Sequence, residues 1–335
     1  MINQNEVRYK NLMTRIGASL LVFLGLITAS QTAYRFFSIA FSEAFGERMG
    51  YVIGELLYGA LYFASFALPV LFFCLISKGK EREPMHLSPR LTANTPLIII
   101  ASIGMILLCA MVNSLLIDPF ISPEFDYDSV FLTSDYSEPY KVVLHFIVIA
   151  IVPGICEELL FRGMILGNLL PYGKTGAIVA SAFLFGLMHQ NPLQMFYTTM
   201  AGIILGLIYV YTESIWCSML VHVLNNAFSV FLEWLSELLG ESGEFLLYLL
   251  QGGLFVLSVG AIVWLLIRNK RFSKTPDFEN GVFERTLPEV EGYCRIPVDS
   301  VRKIRLFFSP TVIVFLVLVL LQMGRVMLLL MGGAS

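Results

Sequence analysis

Continuous apolar runs, each about as long as a bilayer is thick, constrain this chain more than any other feature. A helix needs about 20 apolar residues to cross roughly 30 Å of hydrocarbon, and up to nine such runs occur, beginning near Ile16, Tyr51, Pro96, Tyr140, Thr175, Leu193, Ile215, Phe245 and Thr311. The fifth is short, and several are interrupted by Gly or Pro. Within the runs apolar residues are continuous rather than alternating, which excludes a membrane β-barrel. Composition agrees, since 57% of the 335 residues are hydrophobic and 14% are charged, with a mean hydropathy of +0.76. The expected fold is therefore all-α, a polytopic membrane bundle of about eight core helices with a ninth, C-terminal helix.

Fifteen residues precede the first apolar core and no small-residue cleavage site follows it, so that run is read as an uncleaved helix. Cys74, Cys109, Cys156, Cys217 and Cys294 stand singly, a spacing that forms neither a disulfide framework nor a cysteine metal site. A net charge of -3 gives no basic surface for nucleic acid. With the N-terminus in the cytoplasm, 17 of the 22 Lys and Arg residues fall on the inner side, as the positive-inside rule requires. The acidic loop from Asp118 to Glu138 then lies outside. Residues 1–267 are expected to form the helical core, residues 268–305 a basic cytoplasmic loop resting on anionic headgroups, and residues 306–335 the last membrane helix, peripheral to the rest.

Three polar islands interrupt the apolar pattern. In GICEELLFRG, Glu158 and Arg162 are four apart with the acid first, the favourable helical pairing. Glu157 lies about 100° round the helix from Glu158 and so needs another purpose. Pro153 and Gly154 just upstream weaken the helix wall. In FGLMHQNP, Phe185 and His189 share a face; in HVLNN, His222 and Asn226 do. If residues 170–175 form the tip of a hairpin, Glu157 and His189 each lie about 20 Å from it and can face each other, while His222 and Asn226 reach the same depth with modest tilt. Four costly polar groups at one depth mark a functional site. His145 and Glu55 are instead read as polar packing between helices, and Arg325 as packing or snorkelling.

One carboxylate outside an ion pair, two imidazoles and an amide can hydrolyse a peptide bond. Glu157 can take a proton from water, one histidine can hold that water, and the other histidine with Asn226 can donate to an oxyanion. Glu157, His189 and His222 could alternatively hold zinc with an open position for water, although H-E-x-x-H is absent. Asn226 is a poor zinc ligand and a good oxyanion donor, so no cofactor is required on the favoured reading.

Taken in order, E-E-x-x-x-R (Glu157, Glu158, Arg162), F-x-x-x-H (Phe185, His189) and H-x-x-x-N (His222, Asn226) resemble the CPBP family, the CAAX prenyl protease and bacteriocin-processing (Abi) membrane endopeptidases. The resemblance covers about 75 residues, Gly154 to Phe228, within a catalytic region at about 140–236. It implies an intramembrane endopeptidase with Glu157 as base, His189 at the water, and His222 and Asn226 as oxyanion donors. Glu158, Arg162 and Phe185 would support them, and metal dependence stays open. The implied partners are membrane lipid and a peptide or protein substrate: a leader peptide, a regulatory membrane protein or a prenylated C-terminus. A bacterial plasma membrane is favoured over the endoplasmic reticulum. The competing reading is a non-catalytic immunity or regulatory scaffold. A third reading, a proton-coupled transporter using Glu157, is disfavoured because the chain shows no visible inverted-repeat symmetry.

Overall fold

The computed structural model describes residues 3–77, 82, 83, 85, 87, 93–117, 136–272 and 296–330. They form ten helices and, among the described residues, no strand. In chain order these are α1 (Gln4–Phe45), α2 (Glu47–Ile76), α3 (Thr95–Ile117), α4 (Pro139–Tyr172), α5 (Lys174–Met188), α6 (Met195–Thr212), α7 (Ile215–Leu239), α8 (Glu244–Phe272), α9 (Ser300–Phe307) and α10 (Pro310–Leu330). Eight are long and apolar enough to cross a membrane; α5 is the short apolar one. The protein is thus a polytopic helical bundle.

Helix starts fall close to the expected positions except for α1, which begins twelve residues before Ile16. Its N-cap Asn3 accepts from the Asn5 N–H, and at 1.5 Å per residue its 42 residues far exceed one bilayer. Further differences lie in the segment expected as a basic loop. There α8 continues to Phe272 and residues 300–307 are helical, capped by Asp299, which accepts from the Arg302 N–H at 3.1 Å. Residues 118–135 of the acidic loop, residues 273–295 and Cys294 lie outside the described residues.

Two close crossings organise the bundle. The last helix, α10, lies against α1: a Cβ on Gly17 would stand 2.6 Å from the Val312 backbone nitrogen, and the Thr311 hydroxyl donates to the Thr14 carbonyl at 2.9 Å. Val312, Phe315 and Val319 of α10 are fully buried with Met13, Ile16, Leu20 and Phe23 of α1 in the main core. One face of α10 is therefore integral to the core, not merely peripheral. The second crossing is α4 on α7, where a Cβ on Gly154 would lie 2.5 Å from Val223 Cγ2 and 2.9 Å from its backbone nitrogen. Small residues let helix backbones approach where lipid supplies no hydrophobic drive.

Helix α4 is continuous but widens into π turns at Phe146–Ile151 and Leu159–Leu166. Pro153 has no N–H and cannot bond the Ile149 carbonyl four residues back, so the ladder must rearrange there. The Val152 N–H reaches Ile147, five residues earlier. The second widening begins directly after Glu158, so Glu157 and Glu158 sit between two π segments and Arg162 lies within the second. At the other end of α4, Gly173 (φ 134°) turns the chain into α5, and Gln190 (φ 54°) and Glu213 (φ 49°) turn it at the ends of α5 and α6.

Candidate active site

Glu158 is fully buried and accepts two hydrogen bonds on one oxygen: Arg162 Nη1 at 2.7 Å and His222 Nδ1 at 2.9 Å. Arg162 also donates from Nη2 to the Gly202 carbonyl at 3.1 Å, and its guanidinium lies 4.7 Å over the Phe185 ring. Planarity and a fork of donors let arginine serve a carboxylate, a carbonyl and an aromatic face together. Acid and base offset each other four residues apart, and α4 is pinned to α6 and α7 as a result. Phe185 has a wider part than its motif discloses, since its ring meets Phe161, His189 and His222 edge-on at 5.1, 5.0 and 5.8 Å.

Glu157, 3% exposed, has no such cation. Its Oε1 accepts from the Tyr62 hydroxyl of α2 at 2.6 Å. Its Oε2 has no hydrogen-bond partner among the described residues and stands 3.9 Å from His222 Nε2. An ionised carboxylate with one oxygen clamped and the other open is costly to bury unless something transient fills the gap. His189 Nδ1 faces the Phe185 carbonyl at 2.9 Å. A carbonyl can only accept, so Nδ1 carries the proton and Nε2 is left for another partner. The same logic protonates His222 Nδ1 against Glu158. Asn226 donates Nδ2 to the Ile149 carbonyl at 3.3 Å, the group that Pro153 cannot serve, which ties the third motif to the π turn upstream of the first.

Glu157, Phe185, His189, His222 and Asn226 line one cavity of about 60 Å³, completed by Ile106, Tyr197, Thr198, Ala201, Leu205 and Asn225. That is space for one or two waters. It is too small for an extended peptide. Tyr62, Tyr197 and Asn225, whose Nδ2 donates to the Tyr197 hydroxyl at 3.2 Å, escape the sequence patterns. A faint signal exists for two: Tyr62 follows Tyr58 by one helical turn in an otherwise apolar run, and Asn225 adjoins Asn226. The residues read as packing have packing partners, with His145 Nε2 3.0 Å from the Tyr51 hydroxyl and Glu55 accepting from Tyr34 at 2.6 Å.

A zinc ion on Glu157, His189 and His222 is tested by the donor set. Among the described residues no three His, Cys, Asp or Glu side chains form a group that could hold a metal ion. His222 Nδ1 and His189 Nδ1 are both engaged elsewhere, which leaves the two Nε2 atoms and Glu157 Oε2. As placed, these do not converge as a three-ligand site.

A buried cluster of carboxylates, a guanidinium and imidazoles thus lies inside a helical membrane bundle. Residues 139–228 match the family model described as Type II CAAX prenyl endopeptidase Rce1-like, so this segment is similar to the CAAX prenyl endopeptidase family that the motifs resemble. Among curated proteins, the chain is 34% identical over 95 residues to the Bacillus subtilis (strain 168) protein named "Putative membrane peptidase YdiL". That alignment covers 28% of this chain and 38% of the relative, so the chain spans well under half of that relative's length. No solved structure matches.

Proposed function

We propose that this protein is an intramembrane endopeptidase that hydrolyses a peptide bond with water activated by Glu157. The observation that carries the proposal is the buried, unpartnered Glu157 Oε2, held by Tyr62 and facing two imidazoles in one cavity. A water there donates one hydrogen to Glu157 Oε2 and the other to His189 Nε2, leaving a lone pair for attack. Glu157 takes the proton as the water oxygen bonds to the carbonyl carbon, whose π pair moves onto oxygen. His222, charged, donates from both nitrogens, to Glu158 and to that oxyanion. The charges of Glu157, Glu158, Arg162 and His222 then sum to zero. Asn226 has one amide hydrogen on Ile149 and a second for the same oxyanion. Glu157 passes its proton to the leaving amine as the C–N bond breaks. Phe185, Glu158 and Arg162 fix the two histidines, and Tyr62 fixes the base.

No step in this scheme needs a metal. The substrate class is a peptide or protein at the bilayer: a leader peptide, a regulatory membrane protein or a prenylated C-terminus. The bacterial relative favours a bacterial plasma membrane. Wild type and Glu157→Gln, each reconstituted in vesicles and purified with exhaustive chelation, are to be compared on a peptide library by mass spectrometry. Cleavage by the chelated wild type alone is the expected result. Equal processing by both proteins removes Glu157 from the chemistry, and activity that returns only with added zinc replaces direct water activation by metal catalysis.

A further inference from the structure

On the face of α5 turned away from the cavity, a second cleft of about 460 Å³ opens between α5 and α9. Its size is that of a small-molecule site. Gly176, Val179, Ala180 and Phe183 of α5 form one wall and Ile304 and Phe307 of α9 another, with Tyr9, Leu169 and Tyr172 as the floor. Val179 and Phe183 look outward, 52% and 36% exposed, whereas their neighbours Ser181, Ala182 and Phe185 look into the bundle. The walls are therefore turned to lipid.

Helix α9 carries Arg302, Lys303 and Arg305 and no acid in eight residues, with Val301, Ile304 and Phe308 exposed beside them. Such a helix lies in the headgroup layer, apolar side toward the acyl chains. It is strapped to the end of the α4–α5 hairpin. The Ile296 N–H donates to the Pro171 carbonyl at 2.8 Å, Lys303 Nζ donates to the Tyr172 carbonyl, and Arg302 pairs with Glu6 of α1. Lys303 lines the cleft itself, and one hydrogen bond to Tyr172 leaves its ammonium two further hydrogens to give. Glu6 is engaged by Arg302, and Asp299 by the α9 backbone. The cleft thus joins an apolar slot open to lipid with a cationic rim at one end.

We propose that this cleft is a binding site for one anionic phospholipid, its acyl chain along Val179 and Phe183 and its phosphate on Lys303. The occupant must be amphiphilic because the slot is apolar, and anionic because the rim supplies cations. A bound lipid would tie α9 and its strap to the hairpin whose two arms carry Glu157 and His189. The proposal does not depend on the protease reading.

Native mass spectrometry of the full chain in detergent, titrated with phosphatidylglycerol or phosphatidylcholine, tests it. Wild type should hold one phosphatidylglycerol about fivefold more tightly than phosphatidylcholine, the contribution of one lysine near an anionic surface. Lys303→Gln should erase the preference, and Val179→Trp should lower binding of both lipids by filling the slot from its exposed side. Arg325→Gln, an exposed cation on α10, should change nothing. Equal affinity of wild type for the two lipids overturns the proposal. So does phosphatidylglycerol binding at the wild-type level in Val179→Trp, a variant with an exposed substitution chosen in case Lys303→Gln does not fold. Occupancy of the cleft by an added apolar peptide that phosphatidylglycerol cannot displace would assign the site to a different partner and overturn it too.

Discussion

The two close helix crossings, α1 on α10 and α4 on α7, solve the same packing problem in opposite chemical settings. Each places a glycine, Gly17 or Gly154, where a methyl group would strike the facing backbone. At the α1–α10 crossing the Thr311 hydroxyl donates to the Thr14 carbonyl, and around it lie Val312, Phe315 and Ile16. At the α4–α7 crossing the surroundings are Glu157, Glu158, Arg162 and His222. Charges are admitted there because each group has at least one answering partner; Glu157 Oε2, Glu158 Oε2 and Arg162 Nε have no hydrogen-bond partner among the described residues, and of these three residues Glu157 lines the cavity. The contrast teaches that close packing makes a joint, while an unanswered carboxylate oxygen that opens on a polar cavity makes a candidate site.

Replacing the unanswered group should have the largest functional effect. Glu157→Gln should lower the turnover number by a factor of about 10² to 10⁴, the range for loss of a general base, with a thermal midpoint near that of wild type. Glu158→Gln should reverse the pattern, costing about 3–5 kcal/mol of stability because Arg162 is left buried without its carboxylate. Unfolding in detergent together with a cleavage assay measures both. If Glu158→Gln keeps full stability, the α4–α7 crossing is no more electrostatic than the other one.

The comparison sharpens with a matched pair of methyl groups. Gly154→Ala and Gly17→Ala should each destabilise by about 1–3 kcal/mol through overpacking. Only Gly154→Ala should also lower the turnover number of the folded fraction, since α7 carries His222 and Asn226. Equal activity losses per folded molecule would mean that the two crossings are coupled. Tyr62→Phe deletes one hydrogen bond to a charged acceptor, worth about 1.5–3 kcal/mol. The loss should appear in the turnover number with KM unchanged, because Tyr62 aims the base and lies outside the cavity lining; a rise in KM instead would place it on the substrate. The smallest effect belongs to the apolar crossing, where Thr311→Val should cost about 0.6 kcal/mol, the average for interhelical hydrogen bonds in membranes, and leave cleavage intact.

Much of the site was legible because helical spacing is local. Glu158 and Arg162 pair as their separation of four requires, and the match in depth between Glu157 and His189 follows from counting residues from a hairpin tip at 170–175. His222 was legible as a cavity residue, yet its bond to Glu158 was not, since spacing within one helix says nothing of which face a distant helix presents. Tyr62 was hidden for the same reason. Its apolar neighbours read as an ordinary membrane span, and only the packing of α2 on α4 brings its hydroxyl to Glu157.

Apolar run length determined from the chain alone that the protein is a helical membrane bundle and where most of its apolar helices begin, because backbone groups in lipid must be satisfied within each helix. Tertiary structure decided the rest. The Ile149 carbonyl, which Pro153 cannot serve, accepts from an amide 77 positions away; Glu158 accepts from Arg162 and His222 rather than from Arg162 alone; and the last helix joins the core. These outcomes depend on the rotation and tilt of each helix against its neighbours, set by van der Waals fit at residues such as Gly154 and Gly17. Such fit belongs to pairs of surfaces, so no single segment of sequence contains it.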